Sequence, residues 1–169
     1  MLAFFLMEEK KKIWTVGYSK FKTPTAFVSH LKKLNIQFLI DVRSYPVCKW
    51  EAAYCKDNLN LILAEAGIKY AHFAALGGKP LRDDLYLYDG GYPHYTNIGG
   101  QRLYINRIPN YAAMANEPAY IRDISRIENG TNAGHVICMM CSEGNASGCH
   151  RSKLIGKSLI AKGFNVVHL

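Results

Sequence analysis

Apolar residues along this chain recur at two spacings, and the segments that carry them alternate. Residues 13–16, Ile-Trp-Thr-Val, form a short β-type run closed by Gly17. Thr23-Pro24 then supplies an N-cap and a proline at the first helical position. Phe27, Leu31 and Leu34 return at helical spacing, so a helix is expected over 24–34. Residues 37–42 read as a buried strand with Asp41 and Arg43 at its end, and Pro46 forces a loop. Leu59, Ile62, Leu63 and Ala66 share one face of a helix over 58–66, with Gly67 as its cap. A third strand follows over 68–72.

Residues 73–100 break this rhythm. Gly77-Gly78, Pro80, Gly90-Gly91, Pro93 and Gly99-Gly100 punctuate a stretch that also holds Tyr86, Tyr88, Tyr92 and Tyr95. A long aromatic excursion is expected here, of the kind that carries function in compact domains, with tyrosines available to stack on a base or sugar. Helical patterns return at 110–115 and 118–128, a central strand at 134–140, a helix at 149–162 and a closing strand at 164–169. Strands alternating with helices imply a single three-layer α/β domain over 13–169, with a mostly parallel sheet of about five strands and helices on both faces.

In such a sheet, ligands bind outside the carboxyl ends of the strands. Tyr18 and Ser19, Asp41 and Arg43, His72, Cys141 and Glu143, and His168 all fall there. The densest stretch runs from Cys141 to Ser152, out of a buried strand, through a small-residue loop and into a helix start. Helix N-termini present unpaired N–H groups and a partial positive charge. With His150 and Arg151 nearby, that start is a candidate anion site, and Gly144 and Gly148 let the backbone wrap a ligand. The same field lowers a thiol pKa, so Cys141 and Cys149 are candidate nucleophiles. Glu143, in the loop, is a candidate general acid or base. Asp41 and Arg43 lie two apart at one strand end, as an ion pair or as part of the site. The predicted set is thus Cys141, Glu143 and Cys149 for catalysis, and Tyr18, Ser19, Asp41, Arg43, His150 and Arg151 for substrate.

Composition narrows the picture. Apolar residues make up 49% of the chain, enough for a core, and no apolar run is long enough to cross a bilayer. A net charge of +8 suits an anionic partner such as a nucleotide or nucleic acid. The five cysteines are odd in number and follow no export signal, which argues for reduced thiols in the cytoplasm. Cys141, Cys149 and His150 match no standard zinc spacing, so no metal and no other cofactor is expected. Residues 1–12 read as an extension outside the domain. Their apolar run precedes the lysines, the reverse of a secretory signal, and Met7 offers an alternative start.

Taken in order, Thr15-Val16-Gly17-Tyr18-Ser19, Asp41-Val42-Arg43 with Pro46, Tyr70, Leu76-Gly77-Gly78, Cys141-x-Glu143, Cys149-His150-Arg151 and Val167-His168 resemble the domain-of-unknown-function 488 (DUF488) family of small prokaryotic proteins. The likeness runs from about residue 13 to the C-terminus. This chain departs from the family pattern at Tyr18, where histidine is usual, at Cys48, where serine is common, and at Asn145-Ala146, where Asp-Pro is common. A fainter similarity to rhodanese-type sulfurtransferases rests on residues 39–43, 136–141, Gly144, Arg151-Ser152, Gly163 and residues 166–169. That similarity implies a persulfide on Cys141, although the loop from Cys141 to Arg151 is longer than the rhodanese cradle.

Three functions compete on this reading. The first is an enzyme of the hydrolase or transferase class acting on a phosphate-bearing ligand, held by Arg151 and the helix start, with Glu143 as acid or base. The second is sulfur transfer or thiol redox chemistry through Cys141, with Cys149 resolving. The third is a non-catalytic module that binds nucleic acid by charge and stacking.

Overall fold

The computed structural model describes residues 10–47, 51–80 and 82–169. Strand β1 (Lys12–Gly17) carries Ile13 and Thr15 toward one face and Trp14 and Val16 toward the other, the period-2 pattern that a strand covered on both faces requires. Lys12 pairs with Asn165 of the closing strand. Residues 1–9 of the expected extension lie outside the described residues, as does Cys48.

Helix α1 (Pro24–Lys33) begins as its sequence indicates, with Thr23 Oγ1 accepting the N–H of Ala26 at 3.1 Å. Strand β2 (Phe38–Asp41), α2 (Lys56–Glu65) and β3 (Lys69–His72) follow. The expected excursion is not a structureless loop. It holds β4 (Tyr86–Tyr88) and β5 (Tyr95–Ile98), and β6 (Gln101–Tyr104) and β7 (Arg107–Pro109) follow just past its expected end. β4 pairs with β7 and β5 with β6, both antiparallel. Gly99 and Gly100 turn the β5–β6 hairpin with φ of 57° and 79°, a left-handed pair that favours glycine at both positions.

Helices α3 (Tyr111–Met114) and α4 (Pro118–Asn132) lead into β8 (Ile137–Cys141). α4 outruns its expected end at 128. Gly130 does not stop it but lets it lie against β8, since a Cβ there would meet Ile137 Cδ1 at 3.0 Å. Thr131 turns its hydroxyl back to the carbonyl of Ile127. The expected helix 149–162 is irregular: a π-helical turn over Arg151–Gly156 precedes α5 (Lys157–Ala161), and β9 (Asn165–His168) closes the chain.

β1, β2, β3, β8 and β9 form one parallel sheet in the order β3-β2-β8-β1-β9. β8 is central and buried at every residue. Ile137, Met139 and Cys141 face a core shared with α4 and α5, while Cys138 and Met140 face α1 and α2. Helices therefore cover both faces, as the alternating pattern requires. No helix among the described residues is long and apolar enough to cross a membrane.

Candidate active site

Two strands and one helix start converge on the predicted site. β8 ends at Cys141 with its side chain on the α4–α5 face of the sheet. The chain then loops through residues 142–148 and returns at Cys149, whose N–H donates to the carbonyl of Ala146 and whose carbonyl accepts from Ser152 and Lys153 as the helix begins. This loop crosses the end of β1 so tightly that a Cβ on Gly17 would lie 1.8 Å from the Glu143 carbonyl oxygen. Glycine at position 17 is a packing requirement.

The return places the two sulfurs 3.2 Å apart, both buried. Cys149 Sγ also lies 3.4 Å from His150 Nδ1. The other ring nitrogen of His150, Nε2, is 2.9 Å from the carbonyl oxygen of Val42. A carbonyl only accepts, so Nε2 carries the proton. In the neutral ring Nδ1 is then a bare lone pair aimed at the thiol. Cys149 is the acidic member of the pair, its pKa lowered to about 3 by the Cys141 hydrogen bond and by His150, with the Arg151 N–H adding to both. Cys141 moves the opposite way, pushed up by sharing its proton with Cys149 and by burial. The pair thus holds one thiol and one thiolate, with the negative charge on Cys149.

Arg151 supports this arrangement from below. It is 0% exposed. One guanidinium nitrogen donates to the Glu143 carbonyl and the other to Thr15 Oγ1 at 3.3 Å. Thr15 Oγ1 in turn lies 2.6 Å from His168 Nδ1. The guanidinium therefore fastens the 142–148 loop to β1 and is not turned toward solvent. Glu143 gives its backbone carbonyl to Arg151 and Cys141, and its residue is exposed.

Asp41 and Arg43 form a buried ion pair. Asp41 accepts from Arg43 Nε, Arg43 Nη2 and the Arg43 backbone N–H, and from the Tyr70 hydroxyl at 2.7 Å. Arg43 Nη2 also reaches the Tyr54 carbonyl. Burying a carboxylate requires this degree of satisfaction. The pair shapes the turn out of β2, where the Val42 carbonyl meets His150. His72 Nε2 meets the Arg43 carbonyl at 2.8 Å from the neighbouring strand. Tyr18 stacks on Tyr54 at 4.1 Å, and the Arg43 guanidinium lies over the Tyr18 ring, 5.4 Å from its centroid. Ser19 is exposed beside the 142–148 loop, its N–H to the Ser142 carbonyl at 3.4 Å.

Two clefts open onto the sulfurs. One, of about 350 Å³, is lined by Cys141 with Ser44, Gly78, Lys79, Glu143 and His150. The other, of about 390 Å³, is lined by Cys149 with Tyr111, Asn145, Ser147, Glu143 and His150. An apolar pocket beneath Leu85 and Met114 is separate from both sulfurs.

The structure thus brings Cys141, Cys149, His150, Glu143 and Arg151 together, with Asp41 and Arg43 one layer away through Val42. Sequence reasoning did not assign Thr15, Tyr111, Lys79 or the Val42 carbonyl to the site. Thr15 left a signal as the lone polar residue in an apolar strand. Tyr111 and Lys79 left none, because only the fold brings their segments to β8.

Cys141, Cys149 and His150 offer three ligand atoms within 4.8 Å of one another, close enough to share one metal ion. Tetrahedral zinc, with Zn–S bonds of about 2.3 Å, holds its sulfurs roughly 3.8 Å apart. A pair at 3.2 Å is narrower than that and wider than the roughly 2.05 Å of a disulfide bond, the distance of two sulfurs in van der Waals and hydrogen-bond contact.

A family model described as "Domain of unknown function DUF488" matches residues 23–157. No curated protein and no solved structure matches the chain.

Proposed function

This chain belongs to the DUF488 family, and from that premise we propose that it is a thiol-disulfide exchange enzyme in which Cys149 attacks and Cys141 resolves. The observation that carries the reading is the 3.2 Å approach of the two sulfurs, with His150 Nδ1 3.4 Å from Cys149 alone. These roles are the reverse of those the rhodanese likeness implies for Cys141. His150 and the helix start favour negative charge on Cys149, and the thiolate is the nucleophile.

In the first step the Cys149 thiolate attacks one sulfur of a disulfide R–S–S–R′. A Cys149–S–S–R bond forms, and R′S⁻ leaves with the bonding pair, taking a proton from the His150 imidazolium. In the second step Cys141 attacks Cys149 Sγ and gives its proton to the now neutral His150. RS⁻ leaves and is protonated in turn. The substrate gains two electrons and two protons to become two thiols, and the protein is left with a Cys141–Cys149 disulfide.

The reading in which Arg151 holds a phosphate has less support. Its guanidinium is fully buried and serves the Glu143 carbonyl and Thr15.

Exposure of reduced protein to glutathione disulfide, followed by acid quench, alkylation and peptide mass spectrometry, tests the proposal. The expected product is a Cys141–Cys149 link, and Cys141→Ser should accumulate a glutathione adduct on Cys149. A pair that stays reduced while Cys55 acquires glutathione would overturn it.

A further inference from the structure

The two sulfurs do not share an opening. Cys141 lines the cleft that holds Ser44, Gly78 and Lys79, and Cys149 lines the one that holds Tyr111, Asn145 and Ser147. His150 and Glu143 stand between the clefts and line both. Turnover of a Cys141–Cys149 disulfide, as in the function proposed above, needs a reductant, and the geometry restricts where it enters.

An incoming thiolate expels whichever sulfur it does not attack, and the better-stabilised thiolate leaves faster. Cys149 is the sulfur with a stabilising environment, facing His150 Nδ1 at 3.4 Å. Attack therefore falls on Cys141, from the cleft that Cys141 lines. That cleft holds two charged side chains, Lys79 and Glu143, that enter no ion pair among the described residues, whereas Arg43 on the same wall is committed to Asp41. An unpaired cation and an unpaired carboxylate in one small cleft complement a ligand that carries both charges. A volume of about 350 Å³ suits a small molecule, given roughly 30 Å³ per water in the liquid.

We infer that the reducing substrate is a small zwitterionic thiol, an amino acid with a thiol side chain, which enters by the Cys141 cleft with its carboxylate toward Lys79 and its ammonium toward Glu143. Its thiolate attacks Cys141 Sγ, the Cys141–Cys149 bond breaks, and Cys149 leaves with the electron pair. A second such thiolate attacks the outer sulfur of the mixed disulfide. R–S–S–R forms and Cys141 departs as a thiolate that takes up one proton. Two thiols lose two electrons, and the protein disulfide gains them. The inference rests on the exchange chemistry proposed above.

The test reduces pre-oxidised protein with cysteine, 3-mercaptopropionate, cysteamine and 2-mercaptoethanol under subsaturating conditions. Each rate for a variant is divided by the wild-type rate with the same thiol, which removes intrinsic thiol reactivity. Lys79→Gln should slow cysteine and 3-mercaptopropionate about fivefold or more and leave the other two within about twofold. Glu143→Gln should slow cysteine and cysteamine in the same way. The first mixed disulfide, trapped by acid and mapped by mass spectrometry, should sit on Cys141. A mixed disulfide on Cys149, or equal changes across all four thiols, would overturn the inference and leave the exchange chemistry standing. A Cys141–Cys149 pair that no disulfide oxidises would instead remove the premise itself.

Discussion

His150 donates its Nε2–H to the carbonyl of Val42 at 2.9 Å, so a buried residue just past the end of β2 sets the tautomer of a ring on a distant helix start. The consequence falls on the opposite nitrogen, Nδ1, which faces Cys149 at 3.4 Å. A cysteine whose charge is held beside that nitrogen behaves differently from an ordinary cysteine, and the difference is measurable.

Alkylation of Cys149 should be almost independent of pH across the range where ordinary cysteines slow. A free thiol titrates near 8.5, so its alkylation falls about tenfold for each pH unit below that. Cys149, with its pKa lowered to about 3, stays a thiolate as pH drops and loses reactivity only as pH falls through that value. Iodoacetamide labelling at pH 5 and pH 8, with Cys149→Ser as background, checks this. A tenfold loss per unit between those values would contradict it.

Gly78→Ala should move the imidazole. A Cβ at position 78 would lie 2.8 Å from His150 Nδ1. Something must shift, and the ring is bound to Val42 on its other side. The expected result is slower Cys149 labelling at pH 5 with a fold close to native, the stability cost being about 1–2 kcal/mol. Labelling kinetics beside urea unfolding separates the two effects.

Arg151→Met should destabilise the protein, because it removes the guanidinium donors in a buried site, leaving the Glu143 carbonyl only the weak Cys141 thiol and Thr15 only His168. Losing such a partner costs about 1–3 kcal/mol for each group stranded. Arg151→Lys should recover little, since a point charge on a flexible stem does not replace two donors in a fixed fork. Denaturant midpoints for the three proteins test this, and full recovery by lysine would count against the double role of the guanidinium.

Asp41→Asn should cost more than Tyr70→Phe. The asparagine removes the carboxylate that neutralises the Arg43 guanidinium, which is only 6% exposed, and breaking a buried ion pair by removing one partner costs about 3–5 kcal/mol. The phenylalanine removes one hydrogen bond, worth about 1.5–3 kcal/mol when the partner is charged. Equal losses in chemical denaturation would show that Arg43 finds water once its carboxylate is gone.

Much of this architecture was readable beforehand. The apolar run of β8 and the Thr23-Pro24 start of α1 are local signals, and burial on both sides of a strand needs only the residues of that strand. The short hairpins escaped because three or four residues show little periodicity, and β5 is exposed along its whole length. Gly99-Gly100 was the readable clue there. At the site, Cys141 and Cys149 could be singled out from their positions at a strand end and a helix start. Their mutual distance could not, because the path of residues 142–148 depends on Gly17 and Thr15, more than a hundred residues away. Arg151 illustrates the same limit. An arginine at a helix start reads as an anion binder until the fold shows what lies beneath it.

The span from Cys141 to Cys149 begins at the innermost strand of the sheet and ends where a helix starts. Joining its two sulfurs would turn those residues into a small covalent ring. A protease that cut between them would then leave a nicked protein whose last strand, β9, stays attached. After reduction the same cut would leave residues beyond the nick held by packing and pairing alone. The sensitivity of a nicked chain to reductant is therefore a property written into one loop.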